Sequence, residues 1–326
     1  MTSSNESSRK DIEILKALSE HGLPVGSTVL RRELQRRGFL LSERTIRYHL
    51  RLLDERGLTE GHDRSGRTIT PAGLQELSRA LAYQRTGFVL TRFLSMAYAV
   101  TYNPSTEEGK VVANVSIIDK TQVEQTLDLV GALRKAELLP APYIKVLDEE
   151  EEYESISVPK GKIALFTVCN LTIDGVLIHA GIPLLLSYGG LVQFLHHKPV
   201  RFVELIAYEG TTIPPLEVFV YRDMTSINRV LRTGSGMLPA NLREAPADAK
   251  ESTERIISGL KEKGWGGILA FGQPNEPILG VPVGMDRFGI SMIGGLIPAA
   301  AIRETGAAVD TFAPHLLIPI EDMKRI

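Results

Sequence analysis

The sequence predicts a mixed α+β / α/β protein, in which an N-terminal winged helix-turn-helix precedes an internally duplicated α/β domain. Two patterns lead to this fold class: a capped basic helix lies between two helical segments and a short hairpin, and similar apolar runs recur in the last two-thirds. Charge divides the chain in the same place. Residues 1–85 contain 15 Lys and Arg against 11 Asp and Glu, whereas the remainder contains 22 against 28. A basic module therefore precedes an acidic body.

The first elements are two short helices. Residues 1–8 contain no apolar run, so we expect a disordered tail rather than a signal peptide. Ile12, Leu15 and Leu18 repeat at helical spacing and predict a first helix over residues 11–18. Residues 24–26 break it, and Ser27 begins a second helix that runs to Arg37, before Gly38.

The third helix has clear ends and two different faces. Ser42 is a good N-cap and Gly57 a good stop, because glycine reaches the left-handed conformation without a Cβ clash. One face is apolar. The other face presents polar and basic side chains, namely Glu43, Arg44, Arg47, Tyr48 and Arg51. Guanidinium groups pair with phosphates and with guanine edges, so this face predicts contact with DNA. The alternative is a solvated basic surface helix.

A short hairpin follows the basic helix. Residues 58–62 and 67–70 have strand character around a glycine-containing turn, which makes them the wing, and Arg64 and Arg67 lie at or beside its tip. Pro71 then opens another helix. We therefore predict a winged-helix domain over residues 9–84 that binds double-stranded DNA. Its charge excess is modest, which favours a dimer on an inverted-repeat operator.

The remaining chain contains two similar runs. Residues 109–119 and 216–223 begin them, and a Leu-Pro-Ala sequence and a Gly-Gly-Leu sequence recur later in each, at an offset of about 99 to 105 residues. We therefore predict repeats over about residues 109–210 and 216–326, each mixing strands with one or two helices. A cleft between two such halves is a favoured place for a small ligand.

Composition limits the alternatives. No apolar run is long enough to span a bilayer, and the single cysteine, Cys169, excludes an intrachain disulfide, so we expect a cytoplasmic protein. His179, His196 and His197 lack the spacing of a metal or catalytic motif. We predict no bound cofactor, no metal and no enzymatic activity. Two alternatives stay open: an enzyme acting on a small carboxylate, and a winged-helix adaptor that binds protein.

Three motifs give the chain a family resemblance: residues 42–50, residues 236–246 and residues 294–301. With this order of parts, the chain resembles the NrpR-type nitrogen-regulatory repressors. The resemblance covers residues 9 to 326. It implies a homodimeric transcriptional repressor, with residues 85–326 as the effector-binding and dimerisation domain. It also implies 2-oxoglutarate as the effector that releases the repressor from DNA.

A dicarboxylate effector needs cationic groups and free N–H donors. The densest such cluster outside the basic module is made of residues from two stretches, namely Arg232, Gly234, Ser235, Gly236, Asn241 and Arg243. Arg287 and the pair Gly294-Gly295 are further candidates, since paired glycines can open the N-terminus of a helix, a natural anion site. The alternative is that these glycines only turn the chain. Bound effector would shift the dimer to a geometry that no longer fits the operator.

Overall fold

The structure is a computed structural model that describes residues 2–21, 23–36, 39, 41–62, 65–77, 89–154 and 156–326, and of residues 2–9 the backbone alone. The chain forms two compact units, Met1–Gly87 and Phe88–Ile326. Across the described part of the chain, none of the helices has the length and apolar character needed to cross a membrane.

The first unit is a winged helix. Its helices are α1 (Thr2–His21), α2 (Ser27–Arg36) and α3 (Glu43–Glu55), followed by the hairpin of β1 (Thr59–His62) and β2 (Gly66–Ile69) and by helical residues 71–77. Helix α1 begins at Thr2, within the stretch for which the sequence predicted a disordered tail, and the tail over residues 1–8 stays a prediction. The predicted Arg64 lies outside the described residues.

Helix α3 has the predicted ends and faces. The Ser42 side chain accepts a hydrogen bond from the Thr45 backbone N–H at 3.1 Å, and Gly57 adopts a φ of +69° just after the helix. Ile46, Leu50 and Leu53 are at most 1% exposed and pack into the core of the unit. This burial fixes which face of α3 points to solvent.

The second unit contains seven helices and twelve strands among its described residues. The helices are α4 (Val89–Tyr98), α5 (Val123–Lys135), α6 (Leu171–His179), α7 (Pro215–Tyr221), α8 (Ile227–Thr233), α9 (Lys250–Glu262) and α10 (Ile297–Arg303). The strands are β3 (Lys110–Asp119), β4 (Tyr143–Leu147), β5 (Glu152–Tyr153), β6 (Ile156–Ser157), β7 (Lys162–Val168), β8 (Leu185–Leu195), β9 (Lys198–Ala207), β10 (Gly236–Pro246), β11 (Ile268–Phe271), β12 (Arg287–Ile293), β13 (Val309–Pro319) and β14 (Lys324–Arg325).

The second unit is internally duplicated. The series β3, α5, β4, β7, α6, β8 recurs as β10, α9, β11, β12, α10, β13, and each element starts 124 to 127 residues after its counterpart, as Val123 and Lys250 show for the paired helices. The predicted offset is therefore wrong. Residues 216–221 belong to helix α7, not to a strand, and the two Gly-Gly-Leu sequences are not equivalent. Short glycine and proline motifs recur by chance, whereas the true counterparts share chiefly an Ala-Asn pair, at residues 113–114 and 240–241.

The two series exchange a strand. One antiparallel sheet has the order β13-β3-β7-β4-β14 and the other β11-β12-β10-β8-β9, so β8 and β13 each lie in the sheet of the opposite series. Residues 109–210 and 216–326 therefore do not fold as separate halves. Phe166 of the first sheet and Phe288 of the second share one buried cluster, and a second buried cluster also contains residues of both sheets.

Candidate functional site

The exposed face of α3 presents the predicted basic side chains. Arg44, Arg47, Tyr48 and Arg51 are all exposed. Within the described part of the chain, Arg44 has no ion pair, whereas Arg47 contacts Glu43 at 3.2 Å and donates from Nε to the Ser27 hydroxyl at 3.1 Å. Arg51 lies 3.6 Å from Glu55, and its guanidinium is 5.8 Å from the Tyr48 ring centre. These contacts tie Arg47 and Arg51 to neighbouring side chains, and the face still presents the guanidinium groups that phosphate contacts use.

The wing arginine is held by the protein itself. Arg67 Nε donates to Asp54 Oδ2 at 2.7 Å, and the Thr59 hydroxyl donates to the other oxygen of the same carboxylate at 2.5 Å. The Arg67 backbone also pairs with Val25 in both directions. Arg67 therefore ties the wing to α3. Contact between Arg67 and DNA stays a prediction, and it would be a second role for this side chain.

The predicted effector residues do not form one cluster. Arg232, Gly234, Ser235 and Gly236 lie at the end of α8 and the start of β10, roughly 17 Å along that strand from Asn241 at ~3.3 Å per residue. Gly234 closes α8 with a φ of +70°, and a Cβ there would lie 2.5 Å from a His197 ring carbon. Gly236 is packed against Ser226 in the same way. Gly234 and Gly236 therefore turn and pack the chain, as the alternative interpretation of the glycines held, and Arg232 and Ser235 lie beside them, apart from Asn241 and Arg243.

Two other predicted residues also pack rather than line a site. Arg287 begins β12 opposite Pro246, away from Asn241 and Arg243. A Cβ on Gly294 would lie 2.4 Å from the Leu216 side chain, so this glycine permits close packing. Helix α10 begins only at Ile297 and is seven residues long. The predicted anion site at its N-terminus is therefore not formed by Gly294.

Asn241, Arg243 and Gly295 do meet, in a cavity that we call the central cavity. Its walls come from both repeat series and from α4 and α7, and are made of Phe93, Asn114, Cys169, Asn170, Leu171, Tyr208, Pro214, Leu216, Asn241, Arg243, Gly295, Leu296, Ala313 and Pro314. Asn114 on β3 and Asn241 on β10 hold equivalent positions in the two series, 127 residues apart. The central cavity therefore lies where the duplicated elements face each other.

The inner end of the central cavity is polar and completely buried. Arg243 and Asp174 form an ion pair in which Nη2 lies 2.9 Å from Oδ2, and the two side chains are 1% and 0% exposed. Burial lowers the pKa of Arg243, but Asp174 and Tyr208 raise it by more than burial lowers it. The net shift of the pKa is therefore upward, and the guanidinium stays charged. The Tyr208 hydroxyl donates to Asn241 Oδ1 at 2.5 Å, and the guanidinium carbon lies 5.4 Å from the Tyr208 ring centre.

Three buried polar atoms of this lining have no hydrogen-bond partner among the described residues: Arg243 Nη1, Asn170 Nδ2 and Asn114 Oδ1. Asn114 uses its other amide atom to donate to the Gly295 carbonyl at 2.9 Å. Leaving a buried polar group unpaired costs about 1–3 kcal/mol, so three at one cavity indicate that a ligand or water completes them. Two donors and one acceptor suit a carboxylate next to a polar group.

The free space is small. The region that the centre of a water molecule can reach is about 30 Å³, within a recess of about 360 Å³ of empty space that includes its opening. One or two waters fill the smaller volume. A five-carbon acid therefore enters only when lining side chains move apart. Burial raises the pKa of the Cys169 thiol in this wall to about 11 and that of Tyr208 to about 12, so both stay protonated at neutral pH.

The sequence missed most of this cavity. Asn114, the pair Asn170 and Asp174, and Tyr208 come from three stretches far apart in the chain, and none stands in a recognisable motif. The one available signal was a buried Asp in an otherwise apolar helix, residues 171–179, since such a residue needs a buried partner. Within the described residues no group of three or more His, Cys, Asp or Glu is placed to hold a metal ion.

Comparisons with known proteins match both units. The family model described as NrpR regulatory domains NRD1 and 2 matches residues 86–325, and the model of the ribonuclease R winged-helix domain matches residues 12–77. The global nitrogen regulator NrpRI of Methanosarcina mazei is 39% identical over 318 residues, which cover 98% of each chain. A crystal structure of a nitrogen repressor-like protein from Methanococcus jannaschii superposes with a TM-score of 0.63 at 26% identity, covering 73% of this chain and 98% of that one.

Two further relatives are longer. The global nitrogen regulators NrpR of Methanocaldococcus jannaschii and Methanococcus maripaludis are 31% and 32% identical to this chain. The matches cover 98% and 97% of this chain but 55% of each relative. The chain therefore spans about half the length of these two relatives and nearly all of the first.

Proposed function

Because the chain belongs to the NrpR family of nitrogen regulators, we propose that it represses transcription by binding an inverted-repeat operator and is released when 2-oxoglutarate occupies the central cavity. The relatives that match nearly the whole chain are named as nitrogen regulators. The chain is therefore a nitrogen-regulatory transcriptional regulator and not an enzyme. The operator, the direction of regulation and the effector are what we add.

DNA contact is assigned to the exposed face of α3. This face carries Arg44, Arg47 and Arg51 on a helix whose opposite side is fixed in the core. In a helix-turn-helix the second helix of the motif, here α3, enters the major groove, where guanidinium groups read guanine. An inverted repeat presents two equivalent half-sites, so a homodimer in the cytoplasm is the acting species.

The effector proposal depends on one observation, the polar atoms of Arg243, Asn170 and Asn114 around a cavity that have no partner in the part of the chain that the structure describes. Arg243 Nη1 and Asn170 Nδ2 are donors to a carboxylate, and charge-assisted hydrogen bonds of this kind are the stronger ones. Since the cavity is too small for 2-oxoglutarate until side chains move, the liganded protein differs in conformation from the free protein. A ligand that prefers one conformation shifts the population towards it, which is what release from DNA requires.

Calorimetry and gel shifts test this function. We expect 2-oxoglutarate to bind the wild-type protein and to weaken operator affinity by roughly 5- to 150-fold. Asn170→Ala should weaken effector binding and leave operator binding intact, because Asn170 lies in the effector domain. Arg232→Ala is the matched control, since Arg232 is exposed and lies outside the central cavity. Absence of binding heat in the wild type would exclude 2-oxoglutarate, and equal losses in both variants would move the site elsewhere.

A further inference from the structure

Two cations and two rings lie in a row along and beside one wall of the central cavity. Arg243 lies 5.4 Å from the Tyr208 ring centre, the Tyr208 and Phe93 ring centres are 5.6 Å apart, and Arg92 lies 5.6 Å from the Phe93 ring centre. Both rings belong to residues that line the cavity. The row therefore runs from a completely buried guanidinium, Arg243, to an exposed guanidinium, Arg92.

Arg92 has an exposed side chain. It lies on α4, next to the buried Phe93, and among the described residues it makes no ion pair within 4 Å and no hydrogen bond. The adjacent side chains are polar as well. Glu217 and His315 follow the lining residues Leu216 and Pro314 in the chain, and the charge of Arg92 acts on both. Burial raises the pKa of Glu217 while Arg92 lowers it in part, and burial together with Arg92 lowers the pKa of His315.

The inner end of the cavity matches one carboxylate and not two. The charge of Arg243 is already balanced by Asp174, which it contacts through both Nε and Nη2. What remains there is hydrogen-bonding capacity, from Arg243 Nη1 and Asn170 Nδ2. A second negative charge would find no cation at that end, and an unpaired charge taken out of water is strongly disfavoured.

We propose that Arg92 is the outer anchor of the effector site, which pairs with the second carboxylate of a short dicarboxylate whose first carboxylate lies against Arg243 and Asn170. This rests on the proposed function, in that it takes the central cavity as the effector site. The aromatic pair of Phe93 and Tyr208 then flanks the carbon chain between the two ends. Arg92 thereby decides that the site accepts a dicarboxylate and rejects a monocarboxylate of equal length.

Two ligands of the same carbon skeleton test this assignment. 2-Oxopentanoate has the five-carbon 2-oxo acid chain of 2-oxoglutarate without the second carboxylate. By calorimetry on the full chain, we expect the wild type to prefer 2-oxoglutarate about 10- to 100-fold, the range given by one charge-assisted hydrogen-bonded contact. Arg92→Ala should lose that preference, because it removes the cation that pairs with the second carboxylate. Its affinity for 2-oxopentanoate should stay within about twofold.

The controls separate this inference from the function on which it rests. Arg92→Lys should recover part of the preference, and Arg134→Ala, an exposed arginine on α5 outside the cavity, should leave it unchanged. A melting temperature close to that of the wild type establishes that Arg92→Ala is folded. If Arg92→Ala still prefers 2-oxoglutarate while Asn170→Ala binds it weakly, the outer anchor is wrong and the proposed function stands. If the wild type binds neither acid, the proposed effector is wrong and the outer anchor with it.

Discussion

Arg243 and Asp174 form an ion pair that links the two repeat series inside the second unit. Arg243 lies on β10, in the second series, and Asp174 on α6, in the first. Their three N–O contacts measure 2.9, 3.1 and 3.2 Å, and neither side chain is more than 1% exposed. The same guanidinium that offers Nη1 to the central cavity therefore also holds the duplicated elements together.

Breaking this pair should destabilise the protein. Arg243→Met leaves the Asp174 carboxylate buried without a counter-charge, and Asp174→Leu leaves the guanidinium in the same state. We expect each single variant to lower the free energy of unfolding by about 3–5 kcal/mol. The double variant should recover most of that loss, because it removes both charges. Denaturant titration measures all three, and equal losses in the double and single variants would contradict the pairing.

Some residues of the central cavity could be predicted from the sequence, and the reason is physical. Arg243 and Asn241 stood out because cationic and amide side chains are rare within an apolar strand. Asn114 and Asn170 were missed because the exchange of β8 and β13 brings them there, and no local pattern records such an exchange. The winged helix was easier to predict, since the cap at Ser42 and the apolar stripe of α3 are local signals. The DNA-binding role given to Arg67 was less secure, because its partner Asp54 lies on another element.

Gly295 should tolerate no side chain without loss of the cavity. A Cβ at this position would lie 2.7 Å from Asn114 Nδ2 and 3.1 Å from Cys169 Sγ. Gly295→Ala should therefore displace the Asn114 amide, fill the inner end and abolish effector binding, at a cost of about 1–3 kcal/mol in stability. Gly131→Ala is the control, because a Cβ in that helix meets nothing within 4 Å. Calorimetry on both variants gives the answer; unchanged affinity in Gly295→Ala would place the effector elsewhere.

Stability should fall at alkaline pH because of two groups in the cavity wall. Burial raises the pKa of Cys169 from 9.0 to about 11 and that of Tyr208 from 10.0 to about 12. As the pH rises, the unfolded chain loses these protons before the folded chain does. The free energy of unfolding is therefore unaffected by these two groups below pH 9 and falls as the pH rises to about 12. Two pKa units correspond to about 3 kcal/mol for each group.

Removing the thiol tests this alkaline effect. Cys169→Ala should flatten the fall in unfolding free energy between pH 9 and 11 and leave the later fall from Tyr208 in place. Tyr98→Phe serves as the control, because Tyr98 is 70% exposed. Urea titrations at pH 8, 9.5 and 11 compare the three proteins. A Cys169→Ala profile that parallels the wild type would show that the thiol does not contribute.

Dimerisation should belong to the second unit. That unit is compact by itself and contains its own buried clusters, which draw on both sheets. A fragment that begins at Phe88 should therefore fold by itself, and because the family resemblance implies that this unit holds the dimer contact, it should show twice its chain mass in light scattering. The matched fragment of residues 1–87 should be monomeric. A monomeric second unit beside a dimeric full chain would assign the interface to the winged helix.

Substitutions of Arg44 and of Arg67 should have different effects on DNA binding. Arg44 is exposed on α3 and, among the described residues, has no ion pair, whereas Arg67 is held by Asp54. Arg44→Ala should weaken operator binding, by about 1–3 kcal/mol if it reads a base, or by reducing the slope of log K against log salt by about 1 if it contacts a phosphate. Arg67→Ala should instead lower the unfolding free energy by about 1 kcal/mol, through the lost contact between wing and α3.

The control for this separation is Asp54→Asn, which weakens the same contact from its other side. It should reproduce the stability loss of Arg67→Ala, with operator affinity and salt slope close to those of the wild type. Fluorescence anisotropy on operator DNA at several salt concentrations measures both quantities. If Arg67→Ala changes the salt slope and Asp54→Asn does not, then Arg67 contacts DNA in addition to holding the wing. If Arg44→Ala binds as the wild type does, the exposed face of α3 is a solvated surface and the operator is recognised elsewhere.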